Sequence, residues 1–258
     1  MGRIVKEGNY LKLHVLGCGG YIPAKNETSC FLVEHKNQLI MLDAGTGVSN
    51  LRKYKEVLDR YDTISVILSH FHLDHIIGLI YIIPFIRDKK LNIYGPGKPA
   101  YEKSTHTLLN EMMQFPFFVR LPDKLCPEVH IYDYSAGDFD IGDIHIGVTL
   151  QRHNAPSFRI NIDGELVYAT DTTFDKDLCK DCGNAKYLLH ECVDIHDIGK
   201  VTHTSLEVLS RELEGNSFEK VLLVHQNPEW TDADYENIAD KVKLTNIELM
   251  HDFTTYLF

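Results

Sequence analysis

The sequence predicts an α/β fold in one domain, and three observations carry that expectation. Short apolar runs alternate with amphipathic helical patterns along the whole chain, which is the signature of interleaved strands and helices. At 258 residues the chain is long enough for one large core. No low-complexity tract, long linker or short-period repeat divides it.

Strands are expected at Tyr10–Leu16, Cys30–Glu34, Gln38–Leu42, Ile64–Leu68, Leu91–Tyr94 and Val129–Tyr132. Further strands are expected at Ile144–Leu150, Phe158–Ile162, Leu166–Ala169, Tyr187–Leu189, Lys220–Val224 and Ile247–Met250. Gly, Asp and Asn turns bound these runs, and Asp163-Gly164 is a strong hairpin signal. Helical spacing fits Val48–Leu58, Asp74–Ile83, Pro99–Met113, Ser205–Leu213 and Asp232–Lys241. The stretch from about 79 to 138, with the Pro-rich run Phe115–Pro127, is expected to elaborate one face of the 1–258 domain. Its apolar part around Tyr81–Phe118 suits a lid or a homodimer surface.

Composition narrows the function. A net charge of −11 argues against a surface that grips nucleic acid through many phosphates. The start MGRIVKEGNYLKLHVLG lacks the apolar core of a signal peptide. The most apolar stretch, Ile76 to Ile86, is interrupted by Gly78 and Pro84 and is too short to span a bilayer. The six scattered cysteines, Cys18, Cys30, Cys126, Cys179, Cys182 and Cys192, suit reduced thiols better than a disulfide framework. A cytoplasmic location is expected.

Several strands end by delivering a metal-competent side chain. SVILS leads into His70, GVTLQR into His153, LVYAT into Asp171, YLL into His190-Glu191, VLLV into His225, and LIML into Asp43. Strand ends along one rim of an α/β sheet are where such folds build their sites. His70, His72, Asp74 and His75 lie within six residues after a buried-looking strand. Imidazoles and a carboxylate are ligands that Zn²⁺, Mn²⁺ or Fe²⁺ accept. His70 and His72 can share one ion, while Asp74 and His75 point to a neighbouring position. Two divalent cations are therefore expected, zinc first and manganese or iron as the other candidates.

The run H-F-H-L-D-H resembles the H-x-H-x-D-H signature of the metallo-β-lactamase superfamily. Leu42-Asp43-Ala44-Gly45 before it and His153, Thr170-Asp171-Thr172 and His225 after it follow the family's order. The similarity reaches from Leu16 to about Asp234. It points to the ribonuclease Z-like and phosphodiesterase-like branch through L-G-C-G-G-Y-I-P, N-E-T-S-C, H-N-A-P-S-F-R-I and H-T-S-L-E-V-L. The resemblance implies an αββα four-layer sandwich with mixed sheets. It implies that His70, His72 and His153 hold one metal, that Asp74, His75 and His225 hold the other, and that Asp171 bridges them. Asp43 would orient the ligand loop by hydrogen bonds. The true β-lactamases often carry Cys where Asp171 stands, which disfavours a lactam substrate.

The same resemblance gives His203 a catalytic role at the scissile phosphate or leaving oxygen; from the site itself, Asp74 is expected to handle the proton of the attacking water, and Glu191 could orient His203 by a hydrogen bond. The family pattern H-S-T reads H-T-S here. Competing readings stay open at this stage. Asp171 could cap a turn with Thr172, His153 and His225 could be ordinary loop and strand-end histidines, His203 could merely flank a helix N-cap, and Glu191 could be a solvated carboxylate. Cys179 and Cys182 form a lone CxxC, weak evidence for a metal or redox role.

The function these residues predict is metal-dependent hydrolysis of a small phosphodiester or cyclic nucleotide by a hydroxide that two metals activate. A tRNA 3′-processing endonuclease is the first alternative, disfavoured because the stretch between Asp171 and Glu191 is short and not basic. A carboxylester, lactone or thioester hydrolase is the second, and a non-hydrolytic metal-binding protein the third. The expected partner is a small phosphodiester, with nucleic acid disfavoured and no membrane.

Overall fold

The computed structural model describes residues 10–118, 128–182, 185–199 and 201–258. Cys126 and the Pro-rich run beyond Phe118 lie outside these residues. The strands are β1 (Lys12–Gly17), β2 (Cys30–His35), β3 (Gln38–Leu42), β4 (Thr63–Ile67), β5 (Lys90–Gly95), β6 (Val129–Asp133) and β7 (Gly137–Ile141). They continue with β8 (Ile144–Gln151), β9 (Ser157–Ile162), β10 (Leu166–Ala169), β11 (Tyr187–Glu191), β12 (Lys220–Val224), β13 (Ile247–Leu249) and β14 (Thr255–Leu257).

Two seven-stranded sheets result, with orders β14-β1-β2-β3-β4-β5-β6 and β13-β12-β11-β10-β9-β8-β7. Each is mixed in the same way. The pairs from β14 to β3 are antiparallel and those from β3 to β6 parallel. The pairs from β7 to β10 are antiparallel and those from β10 to β13 parallel.

Alternation within strands shows why the sheets stack. Phe31, Val33, Ile40 and Leu42 face Ile146, Ile160, Leu166, Tyr168 and Leu222 in the core between the sheets. Their neighbours Leu32, Leu39 and Met41 pack outward against Val48, Leu51, Ile76 and Leu109. On the other sheet Val167, Val221 and Leu223 pack outward against Leu206, Leu209 and Ile238. A strand covered on both faces reads as a continuous apolar run, and the four layers follow from it: helices, sheet, sheet, helices. Among the described residues no helix is long and apolar enough to cross a membrane.

Gly, Pro and capping chemistry subdivide the expected helices. The pattern over 48–58 is a 3-10 helix, Thr46–Tyr54, followed by an α-helical turn, Lys55–Leu58. That over 74–83 breaks into Leu73–Ile76, Ile77–Ile80 and Ile83–Ile86, with Pro84 in the first turn of the last. That over 99–113 breaks at Glu102, whose φ of 59° ends Lys98–Tyr101 before Thr105–Met112 begins. The last two helices, Leu206–Glu212 and Asp232–Val242, are capped by Ser205 and by a Thr231–Asp234 capping box. Strands β7 and β14 were not foreseen.

One polar cluster stabilises the outer face of the first sheet. Glu34 accepts from His14 at 2.7 Å, from Tyr61 at 2.9 Å and pairs with Arg60 at 2.6 Å. Burial pushes the Glu34 carboxyl up, but the His14 and Tyr61 bonds and the Arg60 charge outweigh it and lower it from 4.5 to about 2. A depressed folded-state pKa stabilises the fold above the unfolded value and is lost as pH falls through the folded one. Glu34→Gln should cost about 1–2 kcal/mol at neutral pH. The gap to the parent should close between pH 4.5 and about 2 in urea titrations.

Candidate metal centre

The parallel-paired strands of both sheets and the antiparallel-paired β8 end on one rim, and their next residues turn inward there. β4 runs through Leu68-Ser69 to His70, β8 to His153, β10 to Asp171, β11 ends on Glu191, and β12 leads to His225. Asp43, Asp171 and His225 have φ of 53°, 49° and 49°. That left-handed conformation costs a non-glycine residue on the order of 1 kcal/mol and clusters at functional sites. Here it swings three side chains off their strand ends toward one another.

Two sets of donor atoms converge. His70, His72, His153 and Asp171 offer one ligand atom each with all atoms within 4.8 Å of one another, and Asp74, His75 and His225 do the same. Asp171 faces both sets. Its Oδ1 lies 3.5 Å from His153 Nε2 and 3.9 Å from His70 Nε2, while its Oδ2 lies 3.0 Å from His75 Nε2 and 3.3 Å from His225 Nε2. Asp74 Oδ2 closes the second set at 3.1 Å from His75 Nε2 and 3.2 Å from His225 Nε2.

The surroundings leave these nitrogens free to act as ligands. His75 Nδ1 donates to Asp43 Oδ2 at 2.7 Å, His153 Nδ1 to the Thr202 carbonyl at 3.1 Å, and His70 Nδ1 meets Ser69 Oγ at 3.0 Å. A histidine that donates through one ring nitrogen presents a lone pair on the other. His70 Nε2 is buried without a hydrogen-bond partner, and buried His75 Nε2 has only the Asp74 and Asp171 carboxylates beside it, out of hydrogen-bond alignment. Buried polar atoms are seldom left so, and a divalent cation on each donor set would satisfy them. The donor chemistry, nitrogen with carboxylate oxygen, fits such an ion.

The electrostatics agree. Burial lowers His70, His72 and His153 below the ordinary imidazole value, which keeps them neutral and ready to bind. Burial also acts on Asp171 and Asp74 in the opposite direction, yet the neighbouring histidine charges hold both carboxyls well below the usual range. His75 is raised against its burial by Asp74, Asp171 and Asp43. A cation would take over the role of the protons on His75 and His225.

Beside this centre His203 donates through Nδ1 to Glu191 Oε2 at 2.7 Å. Glu191 is fully buried and its Oε1 accepts from the backbone N–H groups of Thr172 and Thr204 at 2.9 and 3.1 Å. The solvated-carboxylate alternative for Glu191 therefore fails. Ser205 caps the following helix, with His203 two residues ahead of it as the flanking alternative expects. The cavity over the centre, about 270 Å³, is lined by His72, Asp74, His153, Asp171, His203 and His225 together with Gly20, Tyr21 and Asn227.

Three supporting residues escaped sequence reasoning. Ser69 donates its backbone N–H and Oγ to Asp43 at 2.7 and 2.8 Å, Tyr168 donates its hydroxyl to Asp43 at 2.7 Å, and Thr28 Oγ1 donates to the Asp74 carbonyl at 2.7 Å. For Tyr168 a signal existed, since a tyrosine inside a buried apolar run must find a hydroxyl partner. Cys179 and Cys182 are free thiols in and after the short helix Leu178–Asp181, away from the centre.

A family model described as "Anti-Pycsar protein Apyc1" matches residues 11–248. The ribonuclease Z of Methanopyrus kandleri is 30% identical over 90 residues, 33% of this chain and 32% of that protein. The chain thus spans about a third of that relative's length in the match. The ribonuclease Z of Thermococcus sibiricus is 22% identical over 94% of this chain and 95% of its own. The solved metallo-β-lactamase fold protein YhfI of Bacillus subtilis superposes with a TM-score of 0.75 at 19% identity, covering 97% of this chain and all of that one. The fold is that of the metallo-β-lactamases.

The Asp43 network gives a test independent of any cation. Asp43→Ala strands the Ser69 N–H, the His75 Nδ1–H and the Tyr168 hydroxyl in the core, and should destabilise the chelator-treated protein by about 3 kcal/mol. Tyr168→Phe removes one donor and should cost about 1 kcal/mol, both read from urea unfolding.

Proposed function

The chain belongs to the family described as Anti-Pycsar protein Apyc1, and on that premise we propose that it is a metal-dependent phosphodiesterase acting on a small phosphodiester or cyclic nucleotide. The observation that carries this reading is the shared carboxylate. Asp171 turns Oδ1 to one donor set and Oδ2 to the other, the arrangement that a dinuclear hydrolytic centre requires. His70, His72 and His153 would hold one cation, Asp74, His75 and His225 the other, and zinc is the first candidate.

When bound, the two cations supply a water whose pKa is drawn toward neutrality and positive charge against the phosphoryl oxygens. The chain's own residues do the rest. Asp74, part exposed at the cavity wall, orients the attacking water by accepting its hydrogen bond. His203 lines the same cavity and, with Nδ1 held by Glu191, turns Nε2 toward the leaving oxygen. Burial, and then the charge of Asp171, push the Glu191 carboxyl upward, so the proton shared with His203 stays on the pair. With Nδ1–H held by Glu191, the proton that His203 carries on Nε2 is the one delivered to the leaving oxygen.

Substrate size follows from charge and shape. The net charge of −11 opposes a long nucleic acid. Among the described residues only the short helix Leu178–Asp181 and strand β11 follow Asp171 up to Glu191, where a tRNA-clamping arm would be expected. The scattered cysteines, five of them described as free thiols, suit action in the cytoplasm.

Two measurements test this. Elemental analysis of the purified protein should find two divalent ions per chain, falling to one or none in Asp171→Ala. On bis(p-nitrophenyl) phosphate His203→Ala should lower kcat by about 10²–10⁴ with its metal content intact. Turnover of a p-nitrophenyl ester or a thioester with none of the phosphodiester would overturn the reading, and efficient cleavage of precursor tRNA would replace it with the endonuclease.

A further inference from the structure

The cavity over the metal centre has a side that neither the ligands nor the His203–Glu191 pair occupy. It is formed by Tyr21, Asn154, Val193, Asn227 and Pro228, and among the described residues no lysine or arginine lines the cavity. Among the described residues, a substrate with several phosphates would meet no lysine or arginine there. A substrate with one phosphodiester on the cations and a neutral planar remainder matches the wall.

Tyr21 is held out from a stiff piece of backbone. Gly20 N–H donates to the Gln226 carbonyl at 2.8 Å, and Gln226 N–H donates to the Cys18 carbonyl at 3.2 Å. A Cβ on Gly20 would lie 2.8 Å from that Gln226 carbonyl oxygen and 3.4 Å from His225 Nδ1. The loop is thus pressed against the strand end that carries His225, and no larger residue fits before Tyr21. The tyrosine itself is 52% exposed. Among the described residues its ring and hydroxyl contact no partner, and neither does the Asn154 amide. Asn227 uses Oδ1 to accept the Glu229 N–H at 2.9 Å, which leaves its NH₂ free. A lone exposed aromatic is ordinary. One fixed by a glycine loop at the wall of a cavity that also holds the metal ligands is not.

We propose that Tyr21 is the specificity-determining residue of this cavity, stacking on the heterocyclic base of a mononucleotide while Asn154 and Asn227 meet polar groups on the base edge. The inference rests on the phosphodiesterase reading and adds the substrate's other half. A cavity of about 270 Å³ lies near the lower end of small-molecule sites, roughly 300–1,000 Å³, room for one nucleotide unit. Stacking on an aromatic face is tolerant of base identity, so the asparagines, not Tyr21, would set any preference among bases.

The test compares base-bearing and baseless ligands in the metal-loaded protein. Calorimetry measures binding of a nucleoside 5′-monophosphate against ribose 5-phosphate, and kinetics compare KM and kcat for a nucleoside 3′,5′-cyclic phosphate against its abasic counterpart. The parent should favour the base-bearing ligand. Tyr21→Ala should shrink that preference by roughly 5- to 150-fold, the worth of one stacked base, chiefly in binding and KM, and Tyr21→Phe should restore it. An equal preference in Tyr21→Ala and parent, or none in the parent, overturns the proposal. If the base preference follows Tyr21 but no phosphodiester is cleaved, the subsite stands and the phosphodiesterase reading falls.

Discussion

Asp171 is the residue on which the rest of the structure turns. It follows β10, a strand buried on both faces, and its backbone adopts φ of 49°. In an extended continuation the side chain would project from one face of the sheet. In the left-handed turn it stands between two donor sets, one oxygen to each. Such strain persists only where the surroundings over-determine it. Thr170 Oγ1 donates to Asp171 Oδ2 at 2.9 Å, and the ring nitrogens of His75 and His225 lie within 3.3 Å.

The two sheets supply that surrounding jointly. His70, His72, Asp74 and His75 come from the loop after β4 in one sheet, and His153, Asp171, Glu191 and His225 from strand ends of the other. Neither the His70–His72–His153–Asp171 set nor the Asp74–His75–His225 set is assembled by one sheet alone. Tyr168 crosses from β10 to Asp43 after β3, and Asp43 in turn holds His75. One buried hydroxyl and one buried carboxylate thereby fix the position of a ring whose other nitrogen faces Asp171. Partly satisfied networks of this kind are costly and fully satisfied ones rigid, and Asp43 accepts from Ser69, His75 and Tyr168 together. The centre is therefore placed by the packing of the sandwich and not by loop chemistry alone.

Much of this was legible in the sequence where burial is two-sided. Gln38–Leu42, Leu166–Ala169 and Lys220–Val224 read as uninterrupted apolar runs and are strands over those same residues. The strands that escaped, Gly137–Ile141 and Thr255–Leu257, lie at sheet edges with exposed polar positions, where the apolar pattern dissolves. Among the candidate ligands, His70, His153, Asp171 and His225 were legible because each sits one to three residues past a strand, and His72, Asp74 and His75 because they follow His70 in one short run. Their tautomers, the Ser69 and Tyr168 partners of Asp43 and the division of the Asp171 oxygens were not. They depend on which strands become neighbours, and pairings as distant as Tyr168 with Asp43 leave no local trace. The Glu191–His203 bond lay between these cases, since residue type suggested it and only the backbone donors of Thr172 and Thr204 explain its burial.

The central claim is that one carboxylate joins two cation positions. Anomalous diffraction from crystals of the zinc-loaded protein addresses it directly. Two peaks roughly 3.5–4 Å apart are expected, one beside His70, His72 and His153 and one beside Asp74, His75 and His225, each in contact with a different oxygen of Asp171. A single peak, or two peaks that leave Asp171 bound to only one of them, would contradict it.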